Sequence, residues 1–143
     1  MGVDLRPRIF TSPHIDDAIL GYGGGILRLR DLGIPVYIFN FFTISNHTSI
    51  RNDVDATKVR KAEEERIVQA TGCIIHDFGM LDSPVRGFPI NYKDDNIDYV
   101  VADDVYDERN IIDEFKQKLM GELNKMRGYG RVFAPLGIGC HRD

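Results

Sequence analysis

The chain has 143 residues, of which 43% are hydrophobic and 28% charged, a composition typical of a single soluble globular domain. Its 18 basic and 22 acidic residues give a formal net charge of −4, which excludes the basic face that nucleic-acid binding requires. No apolar run is long enough to span a membrane, the first residues contain no secretory signal, and two cysteines make no disulfide framework. We therefore expect a cytoplasmic protein.

Apolar runs alternate with helical patterns along the chain, which is typical of an α/β sheet built from βαβ units. The first strand is predicted over Arg8–Ser12, the first helix over about Asp17–Leu32, and an almost wholly apolar second strand over Ile34–Phe42. A polar loop is predicted over Thr43–Ala56 and a charged helix over about Thr57–Thr71.

The second half of the chain continues the alternation. A third strand is predicted over Cys73–Phe78, and an irregular acidic segment follows over Ser83–Tyr106. The clearest helix is predicted from Asp107 to about Arg127, with apolar residues repeating along one face, and the last strand over Arg131–Pro135. The pattern as a whole predicts an α/β fold with a mostly parallel sheet, formed by residues 1–143 as one domain.

Polar and reactive residues follow the predicted strands, where open α/β sheets carry their functional groups. The segment Ser12–Asp17 follows the first strand, Asn46–Thr48 the second, Asp82 the third and Gly139–Asp143 the last. Three of the four histidines therefore fall on one predicted edge of the sheet.

The turn after the first strand places His14 on a loop and Asp17 at the start of a helix, so that both side chains can reach one point. An imidazole and a carboxylate are common zinc ligands, and a catalytic zinc needs only three protein ligands and a water molecule. Asp16 would then suit the role of base towards that water. In the alternative interpretation, both aspartates cap the helix and complement its dipole, and His14 is an ordinary polar residue.

Two other features have ordinary structural explanations. His141 lies near the end of the chain, where exposed polar residues are common. The glycine-rich stretch Gly21–Gly25 differs in spacing from a dinucleotide-binding loop and lies inside a predicted helix rather than at a strand–helix junction. We therefore interpret it as a stretch that lets the helix pack closely on the sheet.

Several motifs together resemble one family. Ser12–Ala18 near the start and Gly139–Asp143 at the end resemble the two signatures of the PIG-L/LmbE-like zinc N-deacetylases, an A-H-P-D-D-E-type motif and a later H-x-D-H. Arg60–Glu63, on a helix that ends at Gly72, and then Asp82 resemble the R-x-x-E helix and following aspartate of that family. The resemblance extends over nearly the whole chain and implies a Rossmann-like three-layer sandwich.

The resemblance also implies roles for the matching residues of the catalytic centre. His14 and Asp17 match the zinc ligands of the family, and Asp16 matches its general base. His141 matches the histidine that stabilises the developing oxyanion or passes a proton.

Two further matches imply substrate contacts. Arg60 and Asp82 fall where the family contacts its sugar substrate, although an ion pair between Arg60 and a helix neighbour explains the arginine equally well. The implied activity is the removal of an N-acetyl group from an amino sugar or sugar conjugate, with one zinc ion per chain. The implied partner is a small N-acetylated sugar.

The sequence departs from the family pattern in three places. Ile15 replaces the usual proline and Ala18 the usual glutamate, so a carboxylate that would support the zinc ligands is missing. The third zinc ligand, the second histidine of H-x-D-H, would come just after Asp143. We therefore expect a domain that is incomplete on its C-terminal side, with low activity in this form and a tendency to form homo-oligomers. The alternative is a catalytically degenerate sugar-binding or scaffold domain of the same fold.

Overall fold

The computed structural model describes residues 4–45, 55–82, 85–86, 109–126 and 128–135. These residues contain four strands and three helices, in the order β1 (Arg8–Ser12), α1 (Asp17–Asp31), β2 (Val36–Ile44), α2 (Ala56–Thr71), β3 (Ile74–Leu81), α3 (Arg109–Lys125) and β4 (Arg131–Phe133). None of the helices in these ranges has the length and apolar character needed to cross a bilayer.

The described strands form one parallel sheet in the order β3-β2-β1-β4. In β1, residues from Arg8 to Ser12 pair with β2 on one side, and the first three of them also pair with β4 on the other. The direction of winding therefore reverses between β1 and β4, the kind of position at which open α/β sheets bind ligands. The α/β class and the mostly parallel sheet predicted from the sequence are confirmed.

Helices cover both faces of this sheet. Successive residues of a strand point to opposite faces, and Phe10 belongs to the core under α1 whereas Ile9 belongs to the core under α3. The α1 side is packed by Ala18, Ile26, Val36, Ile38 and Cys73, with Ile19, Tyr22 and Leu29 at its margin. The α3 side is packed by Phe39, Phe41, Phe42 and Met80, against Ile111, Phe115, Leu119 and Leu123 of the helix. The three-layer arrangement is therefore confirmed.

A buried polar cluster joins α2 to the sheet. Asn40 of β2 is fully buried, and its amide nitrogen donates to Glu64 Oε1 at 2.8 Å and to Asp77 Oδ1 at 3.1 Å. Lys61 donates to the other Glu64 oxygen at 3.1 Å and forms an ion pair with Asp77. Glu64 therefore anchors α2 to the middle of β2.

The limits of β2 differ from those predicted. The strand begins at Val36 rather than Ile34, because Gly33 adopts a left-handed φ of 71° and the Ile34 N–H still bonds back to α1. At its other end Thr43 and Ile44 extend β2, since Ile44 pairs with Leu81 of β3. The predicted loop Thr43–Ala56 was therefore wrong at both ends, because its last residue opens α2.

A β-bulge lengthens β3 beyond its predicted end at Phe78. Around Gly79, β3 has one residue more than β2 between two successive paired positions, and Gly79 has a φ of 69°. Glycine adopts this left-handed conformation without steric cost, so the strand continues past the bulge to Leu81. The continuation places Asp82 directly at the end of the sheet.

The remaining boundaries lie close to those predicted. The helices match their predicted positions to within two residues at each end, and β4 ends at Phe133 rather than Pro135. Of the predicted acidic segment Ser83–Tyr106, only residues 85–86 are described, so that prediction lies otherwise outside the described residues.

The interpretation of Gly21–Gly25 as a close-packing stretch is wrong. A Cβ atom added at three of these four glycines would meet no described atom within 4 Å. One added at Gly23 would approach Ile19 of the same helix at 3.7 Å, within ordinary contact distance. The helix packs on the sheet through Ala18 and Ile26 instead.

Replacement of glycine by alanine should have opposite effects on stability in the bulge of β3 and in the interior of α1. Gly79→Ala should lower the free energy of unfolding by about 1–2 kcal/mol, because a Cβ disfavours the left-handed conformation. Gly24→Ala, in the interior of α1, should raise it by about 0.5–1 kcal/mol, because alanine favours a helix. A Cβ has open space at both positions, so steric contacts do not confuse the comparison. Urea denaturation measures the free energy of unfolding of both variants. Equal effects of the two substitutions would contradict the requirement for a left-handed Gly79 in the bulge.

Candidate active site

The carboxyl end of the parallel sheet brings together polar side chains from three strand ends. His14 follows β1, Ser45 follows β2 and Asp82 follows β3, and Arg60 reaches the same place from α2. The sequence predicted that His14, Asp82 and Arg60 belong to one site, and the structure brings these three together. Ser45 was missed, because the predicted strand ended before it.

Local hydrogen bonds fix the loop that carries His14. The Ser12 hydroxyl accepts from the Ala18 N–H at 3.0 Å and donates to the His14 carbonyl. The Asp17 carboxylate, from the first turn of α1, accepts from the His14 backbone N–H at 2.9 Å. Pro13 is tied to β2 as well, because its carbonyl accepts from the Phe42 N–H at 2.8 Å. The imidazole is therefore carried on a short, closed turn.

The His14 imidazole lies between two carboxylates. Its Nδ1 is 3.2 Å from Asp17 Oδ2, and its Nε2 is 3.3 Å from Asp82 Oδ1. The His14 side chain is only 13% exposed, and the Asp82 side chain only 4%. The ring is thus oriented at both nitrogens in a largely water-excluded setting.

Asp82 is surrounded by donors. Its Oδ2 accepts from the Ser45 hydroxyl at 2.6 Å, and Arg60 Nη1 lies 3.9 Å from the same oxygen. Burial alone would raise the pKa of Asp82, but the bonds from His14 and Ser45 and the nearby Arg60 charge hold it below its usual value. Among the described residues, the ion partner of Arg60 is Asp82 and not a neighbour on its own helix.

The capping interpretation of the two aspartates is wrong for Asp16. Asp16 occupies the N-cap position of α1, but its side chain makes no capping hydrogen bond and is exposed at the carboxyl end of the sheet. Asp17 turns back towards His14 rather than acting as a simple cap. His141, the predicted proton donor, and His47 lie outside the described residues.

The His14–Asp17 pair fits part of a zinc site. Two donors that bind one tetrahedral zinc at about 2.0–2.1 Å lie roughly 3.3 Å apart, close to the 3.2 Å separation of Nδ1 and Oδ2. The other ring nitrogen faces a carboxylate, which is the usual arrangement for a metal-binding histidine. Within the described ranges, no group of three or more His, Cys, Asp or Glu side chains could hold a metal ion. The third ligand expected after Asp143 lies outside them.

An aromatic ring and a second arginine line the site beside His14. The Phe42 ring centroid lies 6.3 Å from that of His14, and the Arg86 guanidinium lies 5.3 Å from the Phe42 centroid. Sequence reasoning missed both residues. In the sequence, Phe42 cannot be distinguished from the other apolar residues of its strand. Arg86 lies in a segment without a recognisable pattern.

The family model described as PIG-L, GlcNAc-PI de-N-acetylase, matches residues 9–138. The chain belongs to the PIG-L family. The match includes the residues just described at the sheet edge, whereas His141 lies beyond its last residue. A search of curated proteins finds no match.

Solved structures of several deacetylases share the fold. A deacetylase from the biosynthesis pathway of teicoplanin matches with a TM-score of 0.74 and 19% identity, covering 94% of this chain and 57% of that one. The zinc-inhibited form of teicoplanin deacetylase matches with a TM-score of 0.69 and 16% identity, covering 90% and 55%. The deacetylase of the A40926 pseudoaglycone matches with a TM-score of 0.63 and 14% identity, covering 87% and 48%. At these identities the likeness concerns the fold, and the chain spans about half the length of these proteins.

The paired carboxylates predict an unusually basic histidine in the metal-free chain. Burial disfavours the charged ring, but the hydrogen bonds to Asp17 and Asp82 outweigh it and raise the pKa of His14 from 6.5 to about 9. Because the folded state holds this proton more tightly, the resulting stability is complete below pH 6.5 and is lost as the pH rises through 9. An NMR titration should give a His14 midpoint near 9, and urea stability should fall over the same interval.

His14→Gln should remove this alkaline loss of stability, and His76→Gln, on β3, should retain it. A His14 midpoint at or below 6.5 would contradict the two-carboxylate arrangement.

Proposed function

We propose that the protein is a zinc-dependent hydrolase that removes an N-acetyl group from an amino sugar or a sugar conjugate. The observation that carries the proposal is the His14 imidazole held between Asp17 and Asp82 at the carboxyl end of a parallel sheet in a PIG-L family chain. A buried imidazole with a carboxylate at each nitrogen suits a metal ligand better than an ordinary polar residue.

His14 and Asp17 would hold the metal, with a third ligand from outside the described residues. Zinc held there would supply polarisation of the amide carbonyl and would lower the pKa of water, so that a hydroxide nucleophile is available near neutral pH. The chain contributes orientation, because the closed turn from Ser12 to Ala18 fixes both donors relative to the sheet.

Asp16 would act as the general base. It directly precedes α1, and its exposed carboxylate can take the proton of the attacking water as the new bond to the acetyl carbon forms. His141 would stabilise the developing oxyanion and protonate the leaving nitrogen. The C–N bond then breaks to give acetate and the amine of the sugar.

Arg60 would bind the substrate. Its Nη1 is buried and, among the described residues, has no hydrogen-bond partner, although Asp82 lies 3.9 Å away. A buried donor without a partner is costly, and a sugar hydroxyl or carbonyl oxygen would satisfy it.

A sugar-binding or scaffold domain without catalysis is the second candidate. Ala18, which stands where the family has a glutamate, is buried in the core under α1, so no carboxylate supports the ligands from this position. Such a domain would bind the sugar without releasing acetate, and it would not require zinc to do so.

The cytoplasmic location, the single domain and the self-association expected from the sequence stay predictions. Leu20 on α1 and Met120 on α3 are exposed, and apolar side chains of this size on outer helix faces favour association. Sedimentation velocity of the chain over a range of concentrations measures this self-association.

Substitutions of the neighbouring Asp16 and Asp17 should have different effects on acetate release and on zinc binding. Asp16→Asn should abolish release of acetate from an N-acetylglucosamine derivative while zinc stays bound, because Asp16 is proposed as the base and not as a ligand. Asp17→Ala should lose zinc first, with the fold retained. Zinc content, circular dichroism and acetate release separate these results. Full activity of Asp16→Asn, or its loss of zinc together with activity, would exclude the proposed role.

Substrate binding by Arg60 is tested by its removal. Arg60→Ala should raise KM or lower kcat/KM while the melting temperature changes little, because the lost donor has no hydrogen-bond partner in the described protein. Lys58→Ala on the same helix, where the side chain is exposed and pairs with Asp55, should change neither quantity. A melting temperature lowered by several degrees with unchanged kinetics would indicate a structural ion pair between Arg60 and Asp82 instead.

A further inference from the structure

The burial of Asp82 leaves little room for the sugar contact that the resemblance implies. Its side chain is almost completely buried, and both carboxylate oxygens already have partners: His14 Nε2 at Oδ1, and the Ser45 hydroxyl at Oδ2. Little of its surface remains for a substrate hydroxyl. Its contact with His14 therefore suggests a different role for Asp82.

We propose that Asp82 is a positioning residue, which holds the proton of His14 on Nε2 so that the lone pair of Nδ1 is directed towards Asp17 and a shared metal ion. Ser45 supports this role by fixing the orientation of the Asp82 carboxylate through its hydrogen bond to Oδ2. The proposal rests on the proposed function, since it assigns a role in the same metal site.

The chemistry of the ring gives the contact its direction. A neutral imidazole has one protonated nitrogen and one lone pair, and the stronger acceptor decides which nitrogen keeps the proton. Asp17 and Asp82 both offer carboxylate oxygens, at 3.2 Å and 3.3 Å from opposite nitrogens. If Asp17 binds the metal, Asp82 is the acceptor that remains for the ring proton.

Asp82 can act in this way because it cannot turn. Its backbone N–H donates to the Ile44 carbonyl at 2.9 Å, and its Oδ2 accepts from Ser45 at 2.6 Å. Ser45 is fixed in turn by Thr57 of α2, whose hydroxyl donates to the Ser45 carbonyl at 3.0 Å and accepts from its N–H at 3.3 Å. One chain of contacts thus connects α2, the ends of β2 and β3, and the imidazole that follows β1.

The experiment compares Asp82→Asn and Ser45→Ala with Asp77→Asn, in each case in a chain extended after Asp143 by the histidine that the family pattern expects as third zinc ligand. Asp77 is a matched control, because it is also a largely buried aspartate but lies within β3 and contacts Asn40 and Lys61 rather than His14. Zinc affinity is measured by competition with a chromophoric chelator, and the bound geometry by the visible spectrum of the Co²⁺ form. The nitrogen chemical shifts of His14 in the metal-free protein, at a pH where the ring is neutral, report which nitrogen carries the proton.

We expect Asp82→Asn to weaken zinc binding 10–100-fold, as losses of such supporting contacts do, and to alter the Co²⁺ spectrum. In the metal-free protein, where Asp17 and Asp82 compete for the proton of the neutral ring, loss of the Asp82 carboxylate should move the His14 proton towards Nδ1, where Asp17 accepts it. Ser45→Ala should cause smaller changes in the same direction, and Asp77→Asn should leave zinc affinity and the ring proton unchanged. If Asp82→Asn does not fold, Ser45→Ala decides the proposal by the same measurements.

Unchanged zinc affinity and an unchanged ring proton in both site variants would overturn the positioning role, and a raised KM for the N-acetylated substrate alone would make Asp82 a sugar contact. Failure of the proposed function has a different pattern. In that case the extended chain without these substitutions neither binds zinc nor releases acetate, whereas the His14 nitrogen shifts still show whether Asp82 positions the ring.

Discussion

The arrangement of the site depends on one constraint, the common direction of the strands. Because β1, β2 and β3 run parallel, their carboxyl ends lie at one edge, and the first polar residues beyond them meet there. His14, Ser45 and Asp82 come from positions far apart in the sequence, yet two hydrogen bonds join them in one chain. The apolar cores on both faces of the sheet hold the strands in this order and so hold the site.

Burial gives these contacts their strength and also their cost. A carboxylate as buried as Asp82 is stable only if other groups replace the water that it has lost: His14 and Ser45 supply hydrogen bonds, and the Arg60 charge lies 3.9 Å away. Removing one of the two hydrogen-bond partners leaves the Asp82 charge less compensated in a low-dielectric setting, so His14, Ser45 and Asp82 depend on one another. A metal ion that displaces the proton between His14 and Asp17 would enter a site already arranged around two negative charges.

The sequence predicted the α/β class and most element boundaries well, because hydrophobic periodicity and the alternation of strands with helices are visible along the chain. It identified His14, Asp17, Arg60 and Asp82 as members of one site because a family motif or a strand end marks each of them. Ser45 could not be found in this way, since two compensating irregularities in the pairing of β2 and β3 extend both strands beyond their apparent ends. Asp82 was identified as a site residue, but burial and hydrogen-bond partners, which no pattern reveals, were needed to suggest what it does. The packing interpretation of the α1 glycines failed for a related reason, because helical spacing does not show which face a glycine occupies.

The buried cluster around Asn40 sets the rotation of α2 about its own axis. Glu64 lies one helical turn after Arg60, on the same side of the helix, and its bond to the centre of β2 allows only one angular setting. A rotation by a single residue, about 100°, would swing Arg60 away from Asp82 and place a different side chain at the edge of the sheet. An apolar contact at Asn40 would tolerate several such settings, because it has no direction. The direction of the Arg60 side chain is therefore determined by the bond between Asn40, in the middle of the sheet, and Glu64, one helical turn further along α2.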